Sequence, residues 1–222
     1  MTPPAAATSR RDTSRPEASR RAAARRRSAA RRRRVLRFSG ALLVVAVAIG
    51  LAMPLLREAV NDLTLPLADA SIIRQQAADE HLDPALIAAV IYAETKFDAR
   101  TSSAGALGLM QILPQTAEYL ARRSGGTTFT TADLAEPSVN IAYGSYYLRY
   151  LLDHYHGNEM LAVAAYNGGL ANVDRWIAQA RTQGHALTID EIPFPETRAY
   201  VERVLQKQRD YRHQYASELG YG

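Results

Sequence analysis

The stretch Asp83–Phe97, DPALIAAVIYAETKF, decides how the chain is read. Asp83 has the side chain of a helix N-cap, and Pro84 suits the first helical position, where its missing N–H costs nothing, so a helix is expected over 84–97. Ile87, Val90, Ile91 and Phe97 recur on one helical face, and Glu94 falls inside that stripe, seven residues after Ile87 and three after Ile91. A carboxyl there faces the interior. Desolvation disfavours its charged form, and a glutamic acid still protonated near neutral pH is what general-acid catalysis requires. The competing reading is a helix-end Glu turned to solvent or paired with Lys96 or Arg100, and this segment alone does not separate the two.

Around that helix the pattern stays helical. Helices are expected over 70–81, 84–97, 114–124, 138–156, 158–166, 170–181 and 196–215, with Gly125-Gly126 and Gly157 as stops and Asn158 as a start. No alternating apolar run is long enough for a substantial sheet. Only 101–113, TSSAGALGLMQIL, reads as irregular structure or a short hairpin, and no fixed-period repeat occurs. The fold class expected is therefore all-α, with at most a short hairpin.

Upstream, charge is split by position. Residues 1–37 hold thirteen Arg and two acids, a net +11, so the remaining chain carries −6 against a total of +5. The high pI belongs to a tail, and nucleic acid is not an expected partner of the fold. That tail is rich in Ala, Arg, Ser, Thr and Pro, has little to bury, and is expected to be disordered in the cytoplasm. The nineteen residues 38–56, FSGALLVVAVAIGLAMPLL, carry no charge and are long enough to cross ~30 Å of hydrocarbon as one transmembrane helix. Arg31–Arg34 and Arg37 flank only its N-terminal side, which places the following domain outside the cytoplasm. A cleaved signal peptide, with Gly50 and Ala52 as small residues before the cut, is the alternative to this anchor. Residues 57–69 then form a tether and 70–215 the domain. Cysteine is absent, so the domain relies on its core, and Cys-based metal sites are excluded. His154 and His156 have no further ligand pattern and read as surface or capping residues; no metal is expected.

Four further segments line up behind Glu94. They are Gly105-Ala106-Leu107-Gly108-Leu109-Met110-Gln111 with Pro114-Gln115-Thr116-Ala117; Asn140 and Gly144 ahead of Tyr147-Leu148; Ala165-Tyr166-Asn167-Gly168-Gly169; and Pro195-Glu196-Thr197-Arg198-Ala199-Tyr200-Val201. In this order and spacing they resemble the catalytic domain of the soluble-lytic-transglycosylase type, related to goose-type lysozyme, over about residues 70–212. Two positions depart from that pattern. Thr95 stands where the family usually has Ser and keeps a hydroxyl, and Asp98-Ala99 replaces the usual Asn-Pro or Asp-Pro.

The resemblance implies a lysozyme-like fold that cuts the MurNAc-GlcNAc β-1,4 bond of peptidoglycan and leaves 1,6-anhydromuramyl ends, with no cofactor and a monomeric state. Glu94 would be the catalytic acid and base. Thr95, Ser102, Gly108, Met110, Gln111, Tyr166, Asn167 and Tyr200 would bind the glycan, Tyr200 also lying near Glu94 with a hydroxyl able to hydrogen-bond it. Taken by themselves, these residues have plainer readings too: a tight turn for Gly105 and Gly108, packing for Leu109 and Met110, a structural amide for Gln111, a core ring for Tyr166. Two-carboxylate glycosidases need a second acid, for which Asp98, Glu136 and Glu196 are the candidates, each with a surface alternative. In lytic transglycosylases, by contrast, the substrate's own N-acetyl group and C6 hydroxyl complete the reaction. A water-using muramidase and a non-catalytic wall-binding scaffold remain the other two readings.

Overall fold

Asp83 caps the central helix as its sequence requires: its Oδ1 accepts from the Ala85 N–H at 2.9 Å, and Pro84 follows at the first helical position. The computed structural model describes residues 65–125 and 128–221. In chain order the helices are α1 Ala70–Asp79, α2 Pro84–Thr95, α3 Pro114–Ser124, α4 Pro137–His154, α5 Glu159–Gly168, α6 Leu170–Thr182 and α7 Pro195–Gln214. The strands β1 Arg100–Thr101 and β2 Leu107–Gly108 pair antiparallel, Arg100 opposite Gly108 and Thr101 opposite Leu107. Short 3-10 turns, Thr131–Ala135 and Ile189–Glu191, precede α4 and α7. The mainly helical class and the short hairpin agree with the expectation.

Helix ends differ from the expected ones for local reasons. α2 stops at Thr95 because Lys96 and Phe97 take φ of 52° and 64°, a left-handed ending that no glycine announces. α1 stops at Asp79 because His81, also left-handed, turns the chain so that Leu82 can enter the core. Asn158 does cap α5, accepting from the Leu161 N–H, but the helix runs on to Gly168 before Gly169 breaks it at φ 84°.

The core forms around α2, whose residues Ala85–Tyr92 are all buried. A helix apolar all round is covered all round, so its stripe is wider than the spacing of Ile87, Val90 and Ile91 suggested. α7 runs antiparallel along it: Gln208 donates to Asp83 Oδ2 at 2.8 Å at one end, and Tyr200 reaches Glu94 at the other. Tyr92 and Phe97 also pack on the buried Tyr211 of α7, at ring separations of 6.3 and 6.1 Å. α5, with Ala162, Val163, Ala164 and Ala165 fully buried, is narrow enough to lie against α4, α6 and α7 at once.

The tail at 1–37, the span at 38–56 and the tether at 57–64 lie outside the described residues. Among the described residues no helix is long and apolar enough to cross a membrane. Leu65 and Pro66, expected to belong to the tether, are docked instead: their carbonyls accept from the Tyr215 and Tyr211 hydroxyls, each at 2.5 Å. The folded unit also runs past 215. Leu219 is buried, and the Tyr221 hydroxyl returns to Asp83.

Asp83 thus holds α2, α7 and the C-terminal turn together, with Arg212 as its ion-pair partner. Asp83→Ala should lower stability by about 2 kcal/mol, combining a lost cap with partners left unpaired. Asp83→Asn, which keeps the capping oxygen, should cost about half as much; chemical denaturation of both variants checks the ratio.

Candidate active site

The site begins where α2 ends. Glu94 is the last residue but one of that helix, and the left-handed pair Lys96-Phe97 sends the chain into the hairpin directly beyond it. Arg100 folds back so that its guanidinium donates to the Glu94 backbone carbonyl at 2.9 Å, which leaves the side chain to point elsewhere. Thr95 is 1% exposed, and its hydroxyl lies against the Leu109 carbonyl at 2.8 Å and that of Ile91 at 3.2 Å. Expected to touch the glycan, Thr95 is placed instead as a buried tie between α2 and the loop after β2.

That loop is clamped from three sides. Asn140 of α4, fully buried, accepts from the Met110 N–H at 2.8 Å and donates to the Leu107 and Leu134 carbonyls at 2.9 and 3.0 Å. Gly108 is required beside it: its φ is 74°, and a Cβ there would sit 2.2 Å from Asn140 Nδ2 and 2.7 Å from the Leu134 carbonyl. Gly144, one turn further along α4, leaves room for the Met110 thioether, which a Cβ would meet at 2.3 Å. The Tyr166 hydroxyl completes the clamp by donating to the Met110 carbonyl at 2.9 Å. Met110, fully buried, is therefore a wedge fixed at its N–H, its sulfur and its carbonyl rather than a side chain open to ligand.

Gln111 belongs to the same frame. Its amide donates to the Arg100 and Gly108 carbonyls at 2.7 and 2.8 Å, which ties the two strands together and leaves its oxygen as the end able to face a sugar. Ser102 likewise closes the hairpin turn, its Oγ accepting from the Ala106 N–H at 3.0 Å. Asn167 accepts from the Thr197 hydroxyl at 2.8 Å and borders a cavity of about 320 Å³ shared with Gly168, Phe194, Pro195, Glu196 and Thr197.

At the centre, Tyr200 donates its hydroxyl to Glu94 Oε1 at 2.8 Å. Burial raises the Glu94 pKa to about 7, against the pull of the Tyr200 hydrogen bond and the Arg100 and Arg203 charges, and Glu196 adds a smaller push upward. Burial, and then the nearby Glu94 charge, hold the Tyr166 and Tyr200 phenols well above their ordinary range, so both remain protonated donors. The result is an acid half-protonated near neutral pH, held by a phenol at the rim of a rigid glycine-bearing loop. Such a group can deliver a proton and take one back.

Of the other acids weighed, Glu196 is close enough for its charge to act on Glu94, while Asp98 and Glu136 are exposed, Glu136 ending the 3-10 turn before α4. Sequence reasoning placed Asn140 and Thr197 in motifs without a role, and it passed over Phe194. Asn140 had one available signal, a buriable amide one helical turn from a glycine, four residues on.

A mainly helical fold that carries one raised-pKa glutamic acid at the end of its buried central helix is of the lysozyme-like class. Residues 71–189 match the transglycosylase SLT domain family, more than half of the chain, and the chain belongs to that family. It is 32% identical over 151 residues to the soluble lytic murein transglycosylase of Salmonella typhimurium, which covers 67% of this chain and 23% of that one. It is 28% identical over 166 residues to the membrane-bound lytic murein transglycosylase C of Actinobacillus pleuropneumoniae, covering 64% of this chain and 45% of the relative. Among solved structures, an inactive Glu-to-Gln mutant of the lytic transglycosylase Slt from Pseudomonas aeruginosa superposes with a TM-score of 0.64 at 33% identity, over 69% of this chain and 25% of that one. The chain thus spans about a quarter of the length of its soluble relatives.

A raised acid pKa is also a stability cost. Below its ordinary value near 4.5 Glu94 is neutral whether the chain is folded or not; between there and about 7 the unfolded chain gives up this proton while the folded state keeps it, so stability is lost over that window and the loss is complete once pH passes about 7. Glu94→Gln does not titrate. It should match the wild type at low pH and exceed it by about 1–3 kcal/mol above pH 7, as read by denaturation at several pH values.

Proposed function

We propose that the chain is a peptidoglycan lytic transglycosylase that cleaves the MurNAc-GlcNAc β-1,4 bond and leaves 1,6-anhydromuramyl ends, with Glu94 as the catalytic acid and base. The observation that carries this reading is the Glu94–Tyr200 pair, a carboxyl with its pKa near 7 held in one orientation beside the Gly108–Gln111 loop. Family membership and the murein-cleaving relatives support the substrate class.

In the first step protonated Glu94 gives its proton to the glycosidic oxygen. The bond from that oxygen to the muramyl C1 breaks, the GlcNAc hydroxyl leaves, and positive charge develops at C1. The N-acetyl group carried on the adjacent muramyl C2 can shield that charge, and the newly formed Glu94 carboxylate adds to the stabilisation. In the second step the carboxylate takes the proton from the muramyl C6 hydroxyl as its oxygen attacks C1. The anhydro ring closes and Glu94 is protonated again. An attached hydroxyl reacts at effective molarities reaching ~10⁵–10⁸ M, which explains how it can outcompete water once O6 is aimed at C1. Gln111, Asn167 and Tyr166 border the place where that ring must be held, and Ser102 shapes the turn beside them. Glu196 tunes the field at Glu94 without entering the reaction.

The domain works outside the cytoplasm, on the reading that residues 38–56 anchor it with the Arg-rich residues 1–37 inside. A relative named as membrane-bound is consistent with such a placement.

Mass spectrometry of muropeptides released from purified peptidoglycan tests the product. Anhydro ends, one water lighter than reducing ends, are expected; predominantly reducing ends would move the chain to the hydrolase reading. Glu94→Gln should lose about 10²–10⁴ in rate while Glu196→Gln and Asp98→Asn retain turnover, and a comparable loss in either would mean that two carboxylates act.

Because the acid must be protonated to act, kcat/KM should fall as pH rises through about 7. The Tyr200 hydrogen bond favours the charged form, so Tyr200→Phe should move that fall to higher pH and lower the rate by about tenfold. A pH profile of the variant that coincides with the wild type would remove Tyr200 from the site.

A further inference from the structure

One feature of α4 is not used in building the site. Tyr143, Tyr146, Tyr147 and Tyr150 recur at i, i+3, i+4 and i+7, the spacing of a single helix face. Yet they are not the buried side of the helix. Ile141, Gly144, Leu148, Leu151 and Leu152 fill the core, while all four tyrosines are half-buried. α4 therefore has an aliphatic face for packing and a second, aromatic face that keeps contact with water.

Three rings from this region continue outward from the site. Tyr166, whose hydroxyl holds the Met110 carbonyl and whose phenol senses Glu94, has the Tyr147 ring 5.3 Å away. Tyr150 follows at 6.3 Å, its plane within 15° of Tyr147. Tyr119 of α3 stands 6.0 Å beyond and is 41% exposed. Arg123, one turn after Tyr119, sets its guanidinium 5.0 Å from the centre of the Tyr150 ring and restrains it. The steps between rings are close to the length of one sugar unit.

We propose that Tyr147, Tyr150 and Tyr119 form a binding track that carries the glycan strand away from Glu94, with Tyr119 as its outer end. The inference rests on the transglycosylase reading and adds where the uncut part of the strand lies. A pyranose presents a flat face of C–H groups and a rim of hydroxyls, and a half-buried tyrosine offers the matching pair, an apolar ring with a polar tip. Continuity selects this occupant: the row of rings starts at the tyrosine beside the catalytic acid, which a protein or lipid docking surface has no reason to do. Contacts of this kind lie far from the reacting bond, and their binding energy can be used to hold the muramyl ring in its reactive pose. Strand length then becomes part of substrate recognition.

The test is kcat/KM of the full chain on peptidoglycan glycan strands of defined, increasing length. Wild type should improve with length until the track is filled. Tyr119→Ala should match it on the shortest strand that is cut and fall about tenfold behind on long ones, the size of one well-made aromatic contact. Tyr119→Phe, which keeps the ring, should retain most of the gain. If Tyr119→Ala equals wild type at every length, or loses equally at every length, the track is overturned while the transglycosylase reading stands. If wild type cuts no strand of any length, that reading fails and takes the track with it.

Discussion

The antiparallel pairing of α2 with α7 is the constraint on which the rest of the site depends. It is fixed by polar groups at both ends and by a cluster of aromatic rings. Asp83 caps α2 and binds Gln208 and Arg212 at one end, Glu94 meets Tyr200 at the other, and Tyr92 and Phe97 pack on Tyr211, the α7 residue between Gln208 and Arg212 that comes directly before Arg212. The two helices cannot slide past one another without breaking a cap, a carboxyl contact and an aromatic cluster together. A hydrogen bond of 2.8 Å between residues 106 positions apart can then be reproduced in every molecule. The cap far from the chemistry and the phenol within it are parts of one device.

A second device holds the loop opposite. Buried polar groups are tolerable only when paired, and Asn140 meets that condition by serving the Met110 N–H and two carbonyls at once. Gly108 and Gly144 supply the space that this pairing needs, one for the amide and one for the thioether. Loop residues that resembled ligand contacts in the sequence thus divide into two kinds. Thr95, Gly108 and Met110 are buried and set the shape of the frame, whereas Gln111, Tyr166 and Asn167 keep part of their surface available.

Much of the fold was legible because its signals are local. Asp83-Pro84 and Asn158 begin helices where their side chains can cap them, and Gly125 and Gly157 end structure where φ must be positive. What the sequence hid was set by tertiary contact. Nothing in Lys96-Phe97 announces a left-handed turn; the turn is stabilised by the Thr95 link to Leu109, a residue fourteen positions on. Likewise the periodic stripe of α2 suggested one buried face, and the helix is in fact enclosed on all sides, so the inward direction of Glu94 owes more to α7 than to spacing. The Glu94–Tyr200 contact was anticipated from motif resemblance, since periodicity within one helix carries no information about a partner on another.

The acid's position also explains why its neighbours are phenols. A lysine or arginine in place of Tyr200 would pair with the carboxylate and pull its pKa down, removing the proton that the proposed reaction needs. An aliphatic residue would leave the carboxyl oxygen without a partner and free to rotate. A buried tyrosine, whose own pKa is pushed up and which therefore keeps its proton, donates one hydrogen bond, fixes the rotamer and adds no charge. It lowers the Glu94 pKa less than burial raises it, and the balance falls near 7. Arg100 shows the same economy, because its guanidinium is tied to the backbone carbonyl of Glu94 and acts on the carboxyl only as a secondary field. The site is thus built to keep one proton available in a place where charge is discouraged, and the geometry of α7 is what supplies both conditions at once.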